Sequence, residues 1–568
     1  MKRMLLVSFL VFTALMAGAD QRPSQEAPMP DLAKLQSMTA RFAPVDITAD
    51  ISRLPAGEQK ALAKLVEAAR IMDILFLRQV WAGNENMLQQ LQKDTSPLGK
   101  ARLHYFLINK GPWSRLDENA PFIPGAPDKP EGANFYPAGA TKAEVEAWIK
   151  TLPEKTLLLA TGFFTTIRRP SASTAPGFAA VPYHIEYRNE LTEAARLLRE
   201  AAALTSQPTL KTCLTSRAEA FLSNDYYASD VAWMELDASI EPTIGPYEVY
   251  EDEWFNYKAA FEAFIAIRDE AETAKLAKLS SQLQDIEDHL PFDPKYRNPK
   301  LGGMAPIRVV SVILAAGDGN SGVQTAAFNL PNDERVVKEK GAKRVMLRNV
   351  QQAKFQVALV PISRVVLAAA DQKNVSFDAF FTHTVMHELM HGLGPHQIKV
   401  GTRATTVRQE LKETYSTIEE AKADISGLFA LQYLVDKGVL DKALAQSMYD
   451  TFLASAFRSI RFGVNEAHGR GIAIQLNNLL DYGAFRISPD GTFAINPAKI
   501  KDGVIALTRE LLTLEAEGNY AKAQDMVKHL AVVRPEIKRA LDKLQSIPVD
   551  IEPKFPSAER LLAPAAQK

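Results

Sequence analysis

The sequence predicts an α+β protein, predominantly helical and built as two lobes. Three observations predict it. Apolar residues recur at helical spacing over long stretches, first in GEQKALAKLVEAARIMDILFLRQV (57–80) and again through 377–480. Runs rich in β-branched residues are confined to a middle section: RVVSVILAAG (308–317), KRVMLRNV (343–350) and FQVALVPIS (355–363), separated by Gly, Asn, Pro and Asp. The chain has 568 residues, enough for more than one hydrophobic core. The texture is that of a helical lobe bearing a histidine cluster beside a mixed lobe with a modest sheet.

The elements follow in order. The chain opens MKRMLLVSFLVFTALMAGAD. Lys2 and Arg3, an apolar run from Met4 to Met16, and Ala17 and Ala19 in small-x-small spacing predict a signal peptide over 1–19, cleaved after Ala19, and a secreted or periplasmic location. The run is too short for a membrane span, and no later stretch reaches that length. Residues 20–31 are polar and Pro-rich, a tail rather than core. The Pro-, Gly- and aromatic-rich segment 110–139 is too long for a simple connector and is expected to lie packed across a surface. Thr141 and Glu144 form a capping box that opens a helix. Further helices are expected over 187–204, 209–222 and 253–290, and a hairpin over FRISPDGTFAIN (485–496), with Pro-Asp-Gly at its turn. Segments 20–270 and 306–358 are expected to form the mixed lobe and 271–305 and 359–545 the helical lobe, with 546–568 trailing as a tail.

Hydrophobic content of 46% and charged content of 23% are those of a soluble globular chain. A formal net charge of −1 points away from nucleic acid and anionic membrane as partners. Cys213 is the only cysteine, so an intramolecular disulfide and a cysteine-based zinc site are excluded. Any metal must be held by histidine and carboxylate.

The segment FFTHTVMHELMHGLGPHQI (380–398) holds four of the nine histidines. His387, Glu388 and His391 spell H-E-x-x-H. On a helix, positions i and i+4 lie one above the other, so both imidazoles can meet one cation, and zinc accepts imidazole nitrogen. Glu388 is then placed to act on water rather than to ligate, as the base of a metal-assisted amide hydrolysis. Apolar residues between the histidines fit a buried metal helix. Two candidates exist for the third ligand. Gly394 is in register with the longer metzincin pattern, but that pattern requires His at 397, where this chain has Gln397; His396 comes one residue early. Downstream, ETYSTIEEAKADISGLFALQYLVD places Glu420 and Asp424 at i, i+4 on one helix face. Glu420 is the candidate third ligand. Asp424 is the candidate acceptor for the N–H of a metal-bound histidine. Glu419 is expected to point elsewhere. The alternative is that EEAKAD is a solvated helix face.

A metal helix followed by a helix with Glu-Glu-x-x-Ala-acid resembles the dipeptidyl-peptidase III family of zinc exopeptidases. Familiar members carry H-E-x-x-G-H, one residue longer between the histidines; here an ordinary helical turn suffices. IGPYEVYEDEWFNYKAAFEAF (244–264) is similar to the family segment bearing a Glu and a Tyr two apart, AAFNLPND (326–333) to its N-x-P-N turn, and NEAHGRGIAIQ (465–475) to its x-A-H helix. KGPWSRLDENAPF and NDYYASDVAWMEL look like bacterial members, whereas the C-terminal hundred residues show no clear match. The resemblance implies one Zn2+ per chain held by His387, His391 and Glu420, with Glu388 as general base. It implies Tyr250 and His468 as donors to the oxyanion, and Glu248, Asn329 and Asn332 as the site for the free amino terminus of an oligopeptide. It also implies a wide cleft between the lobes, a small β-barrel in the mixed lobe, and release of dipeptides. A zinc endopeptidase or an aminopeptidase of different register, and a peptide-binding protein without activity, remain the alternatives; retention of Glu388 argues against the last.

Overall fold

The structure, a computed structural model, describes residues 29–170, 177–301 and 307–563. The expected signal peptide over 1–19 lies outside the described residues. Helix α1 (Ala56–Val80) buries Leu62, Leu65, Ala69, Met72 and Phe76, a stripe at helical spacing. It packs against α2 (Arg188–Leu204), which packs in turn on α3 (Pro208–Ser223). The capping box at Thr141 is present, with Glu144 N–H donating to Thr141 Oγ1 and Thr141 N–H to the Glu144 carboxylate. The segment 110–139 lies packed as expected, with Trp113, Phe122 and Phe135 buried.

The sheet has five strands: β1 (Ile240–Glu248), β2 (Ala260–Arg268), β3 (Ile307–Gly317), β4 (Ala327–Leu330) and β5 (Lys343–Leu347). Their order is β1-β2-β3-β5-β4, antiparallel except for the parallel β3–β5 pair. The outer strands β1 and β4 approach each other: Asn332, just past β4, donates its amide N–H to the Tyr247 carbonyl on β1 at 2.6 Å, and Phe264 of β2 stacks on Phe328 of β4 at 4.9 Å. The sheet therefore curls toward a barrel whose seam is closed by a side chain.

Strands β3 and β5 form the wall between two cores. Val310, Val312, Val345 and Leu347 join the core of α1–α3, whereas Ile307, Val309 and Met346 join the second core. Strand side chains alternate between faces, so one sheet serves both. The second core lies within a helical lobe of α4 (Phe377–Met390), α5 (Tyr415–Asp436), α6 (Lys442–Ile460), α7 (Ala467–Tyr482) and α8 (Ile500–Glu517). Met386, Leu389, Ile418, Ile425, Leu428 and Leu431 are fully buried there, and each such side chain contributes about 1.5–3 kcal/mol. Among the described residues, no helix is long and apolar enough to cross a membrane.

Three expectations are corrected. Residues 253–290 are not one helix: Ala260–Arg268 is strand β2, followed by helices Glu270–Ser280 and Leu283–His289. The run AFEAFIAI is buried on both faces, and such a run lacks the period that separates strand from helix. Residues 355–363 are helical, part of a helical run from Arg348 to Val366 with one wide turn at Phe355–Leu359. Phe355, Leu359, Ile362 and Val366 are spaced by four, three and four, a helical stripe buried in the second core, and that packing overrides the β-branched composition. The C-terminal segment does not trail: Asp550–Lys554 pairs in parallel with Phe42–Asp46, Pro556–Leu562 is a helix, and Ile551 and Ala558 are buried in the first core. Asp550 Oδ2 lies 2.9 Å from the buried Lys354 ammonium and accepts the Gln324 N–H at 2.6 Å.

Asp550→Ala would leave the Lys354 ammonium buried without its counter-charge and should cost about 3–5 kcal/mol, seen as a fall in the urea midpoint. Replacing both partners by apolar residues, Asp550→Leu with Lys354→Met, should cost less than Asp550→Ala alone; a larger loss in the double variant would contradict the ion-pair account.

Candidate metal centre

Helix α4 starts where Ser376 Oγ accepts the Ala379 N–H, and His387 and His391 follow one turn apart at its far end. Helix α5 supplies Glu419, Glu420 and Asp424. Two glycines permit the close approach. A Cβ at Gly427 of α5 would stand 3.4 Å from His383 Nε2 and from the His387 backbone nitrogen. A Cβ at Gly471 of α7 would stand 3.1 Å from the Ala421 nitrogen and 3.3 Å from Glu420 Cβ. The contact at Gly471 is tight, so a side chain there would press α7 away from α5 beside Glu420; at Gly427 a Cβ would meet α4 at ordinary van der Waals distance, and only a larger side chain would be excluded.

The three candidate ligand atoms form a small triangle. His387 Nε2 and His391 Nε2 are 3.2 Å apart, and Glu420 Oε2 lies 3.4 Å from the first and 3.8 Å from the second. Tetrahedral zinc with bonds of about 2.0–2.1 Å sets its ligands about 3.3 Å apart, so the triangle has the dimensions of one shared cation. Glu420 Oε2 is buried and has no hydrogen-bond partner among the described residues, a costly state for a carboxylate without a cation. Each imidazole is oriented from behind. His387 Nδ1 is 2.7 Å from Asp424 Oδ1, and His391 Nδ1 is 2.7 Å from Glu419 Oε1. Donation from both Nδ1 atoms leaves both Nε2 lone pairs aimed into the triangle. The donor set fits zinc.

Charge ties the imidazoles to these carboxylates, and a cation entering the triangle has to displace the proton they favour on His387. Burial alone would raise the Asp424 carboxyl and lower the His387 imidazole. Their mutual attraction outweighs burial, holding Asp424 at about 2 and pushing His387 up to about 10. Burial would likewise raise Glu419, but Lys422 and then His391 hold it low. Lys422 Nζ, 2.9 Å from Glu419, also donates to the Met390 and Leu393 carbonyls at 3.0 and 3.1 Å, clamping the end of α4. Gln475 of α7 donates to Asp424 Oδ2 at 3.2 Å.

Glu419 therefore does not point elsewhere; it is the second histidine's acceptor. Each metal histidine needs a partner for its second nitrogen, and that requirement was the signal available in the sequence for a second carboxylate. Gln397, where the metzincin pattern wants a ligand, is exposed and begins a strand, Gln397–Val400; His396 is outside the ligand triangle. Glu388 is half-buried, with Oε2 3.5 Å from Arg344 Nε. His468, at the start of α7, is largely exposed, with Nε2 3.3 Å from Glu420 Oε2 and Nδ1 3.1 Å from Glu466.

The remaining predicted residues gather in a second place. A pocket of about 810 Å³ at the end of the curled sheet is lined by Glu248, Tyr250, Asp318, Asn329 and Asn332, among others. Glu248 accepts the backbone N–H groups of Tyr250 and Glu251. Burial, and then the neighbouring Asp318 carboxylate, push Glu248 up to about 8; burial pushes Asp318 up to about 6. An acidic pocket that holds protons in this way favours entry of a cation. The Asn332 amide nitrogen is committed to the Tyr247 carbonyl, leaving its oxygen as an acceptor. Asn329 is exposed. Tyr250 is 79% exposed and lines this pocket, whose lining includes none of the triangle residues. Asp318, Gln475 and Arg344 escaped sequence reading because each acts through a neighbour distant in the chain; Lys422 pairs locally with Glu419, but its contacts to the end of α4 are equally distant.

Comparison with known proteins adds independent findings. The model of peptidase family M49 matches residues 181–398, a span that includes His387 and His391 and stops short of Glu420. A structure of dipeptidyl-peptidase III from Corallococcus sp. strain EGB is 64% identical, with a TM-score of 0.79, over 94% of this chain and 99% of that one. A structure of the Caldithrix abyssi enzyme of that type is 47% identical, with a TM-score of 0.89, over 93% and 100%. Both have the two-lobe fold. Nudix hydrolase 3 of Arabidopsis thaliana is 43% identical over 577 residues, covering 93% of this chain and 74% of the plant protein. That name denotes a different activity, but the family model and both solved structures agree on the peptidase.

Asp424→Asn and Glu419→Gln should each weaken metal binding about 10- to 100-fold, measured by competition with a chromophoric chelator; unchanged affinity in both would reduce these carboxylates to packing. Glu248 and Asp318 titrate above their ordinary values, so the folded chain holds protons there that the unfolded chain has released. Their stabilising contribution is complete below about pH 4, and is lost as pH rises through about 6 and then about 8. The melting temperature should carry a component falling over that range, and Glu248→Gln should flatten it.

Proposed function

This chain belongs to the dipeptidyl-peptidase III family, peptidase family M49, and is a metallopeptidase; from that premise we propose that it releases dipeptides from the free amino terminus of short oligopeptides, with zinc held by His387, His391 and Glu420. When bound, zinc supplies a Lewis acid that polarises the scissile carbonyl and lowers the pKa of water. The observation that carries the metal assignment is the triangle of 3.2–3.8 Å with both Nδ1 atoms already committed to carboxylates.

The rest of the reading concerns the chain's own groups. Glu388, next to the first histidine ligand, takes the proton of the attacking water as the C–O bond forms and returns it to the leaving nitrogen as the C–N bond breaks. His468 Nε2, 3.3 Å from Glu420 Oε2, borders the triangle and is the nearer donor to the oxyanion. Tyr250, the second donor, has to approach by closure of the sheet lobe on substrate. Glu248 takes the ammonium group, and the amide oxygens of Asn329 and Asn332 accept its remaining N–H donors. Anchoring the amine at a set distance from the metal selects the second peptide bond. Residues 1–19, as a signal peptide, place the enzyme outside the cytoplasm.

Unblocked penta- to octapeptides incubated with the purified chain should yield dipeptides by mass spectrometry, and a chelator should stop the reaction. N-acetylated peptides should resist cleavage; equal cleavage of blocked and free peptides would replace the dipeptidyl reading with an endopeptidase. Glu388→Gln should lower kcat by about 10²- to 10⁴-fold with KM little changed.

A further inference from the structure

Arg344 joins the two halves of the site and has no part in the reading above. On β5, Met346 faces the helical core while Val345 and Leu347 face the other. Arg344 shares the face of Met346 and so meets α4. Its Nε lies 3.5 Å from Glu388 Oε2, and its Nη1 donates to the Glu388 backbone carbonyl. One guanidinium thus engages both the side chain and the main chain of the base. In the β4–β5 register, Arg344 is paired directly with Asn329. Asn329 and Glu388 are therefore connected by one strand pairing and one side chain, with no loop between them. Four residues on, the Arg348 guanidinium lies 5.3 Å and 5.9 Å from the ring centroids of Phe377 and Phe381, in the first turns of α4. The same short segment therefore grips the helix near both ends.

We propose that Arg344 is a positioning residue that sets the spacing between the amine anchor on β4 and the base on α4, so that the sheet edge measures off the dipeptide. This rests on the dipeptidyl reading above. Arginine suits the task because its planar fork donates in fixed directions, whereas lysine offers a mobile point charge. Loss of the strut would leave amine binding intact and let this end of α4, with the base and both metal histidines, shift against β4, and a displacement of about 1 Å at a reacting group costs up to about 10²-fold in rate.

The test compares Arg344→Met and Arg344→Lys with the wild-type chain, all zinc-loaded, on a free pentapeptide, reading kcat, KM, product lengths by mass, zinc content and melting temperature. Arg344→Met should lose about 10- to 100-fold in kcat with KM within about threefold, and should release single residues or tripeptides alongside dipeptides. Zinc content and melting temperature should match the wild type, and Arg344→Lys should recover part of kcat while products stay mixed. Wild-type kcat with dipeptides alone in Arg344→Met would overturn the proposal, as would activity lost in step with zinc or with melting temperature. If Arg344→Met does not fold, Arg344→Gln, which keeps a donor for the Glu388 carbonyl, is judged by the same outcomes. A wild-type chain that releases no dipeptides would instead overturn the dipeptidyl reading on which the proposal stands.

Discussion

Two hydrogen bonds behind the imidazoles organise the site. Asp424 and Glu419 each receive an Nδ1–H, and this decides which nitrogen of each ring is free to bind a cation. Without them the rings could turn, or take the other tautomer, and the triangle with Glu420 would dissolve. The demand propagates outward. Both carboxylates stand on α5, so α5 must lie close against α4, and the glycine at 471 makes room for α7 against α5 beside Glu420. Lys422 then serves three partners at once, neutralising Glu419 and closing off the carbonyls at the end of α4.

The second constraint is the shared sheet. Because strand side chains alternate, β3 and β5 present one face to each core, and neither lobe can rearrange its wall without disturbing the other. The acidic pocket is built at the curled end of this sheet and Glu388 lies on the helix against its face, so strand register ties the Asn329 edge of the pocket to that helix through Arg344. Curling also explains the place of Asn332: its amide nitrogen closes the seam to Tyr247, and the same residue lines the pocket.

Much of the architecture was legible from local pattern. The apolar stripe of α1, the capping box at Thr141, the strand at 307–317 and the hairpin near 490 depend on neighbours within a few residues, and each appears where periodicity or turn chemistry puts it. Two of the failures share a cause. AFEAFIAI and FQVALVPIS are mostly apolar, so composition alone leaves strand and helix nearly degenerate, and burial on two faces or on one stripe settles them. The C-terminal strand is unreadable for another reason: its partner, Phe42–Asp46, lies some five hundred residues earlier in the chain.

The sequence by itself determined the candidate metal ligands. His387 and His391 at i, i+4, with Glu420 and Asp424 at i, i+4 on a later helix, are local geometry that any helix enforces. The tertiary structure alone decided how those pairs meet: which carboxylate serves which imidazole, that Glu419 is the acceptor for His391, and that Arg344 lies between Asn329 of β4 and Glu388 of α4. Helical spacing says which residues share a face. It carries no information about what that face will touch, because the contact is chosen by the packing of helices and strands far apart in the chain.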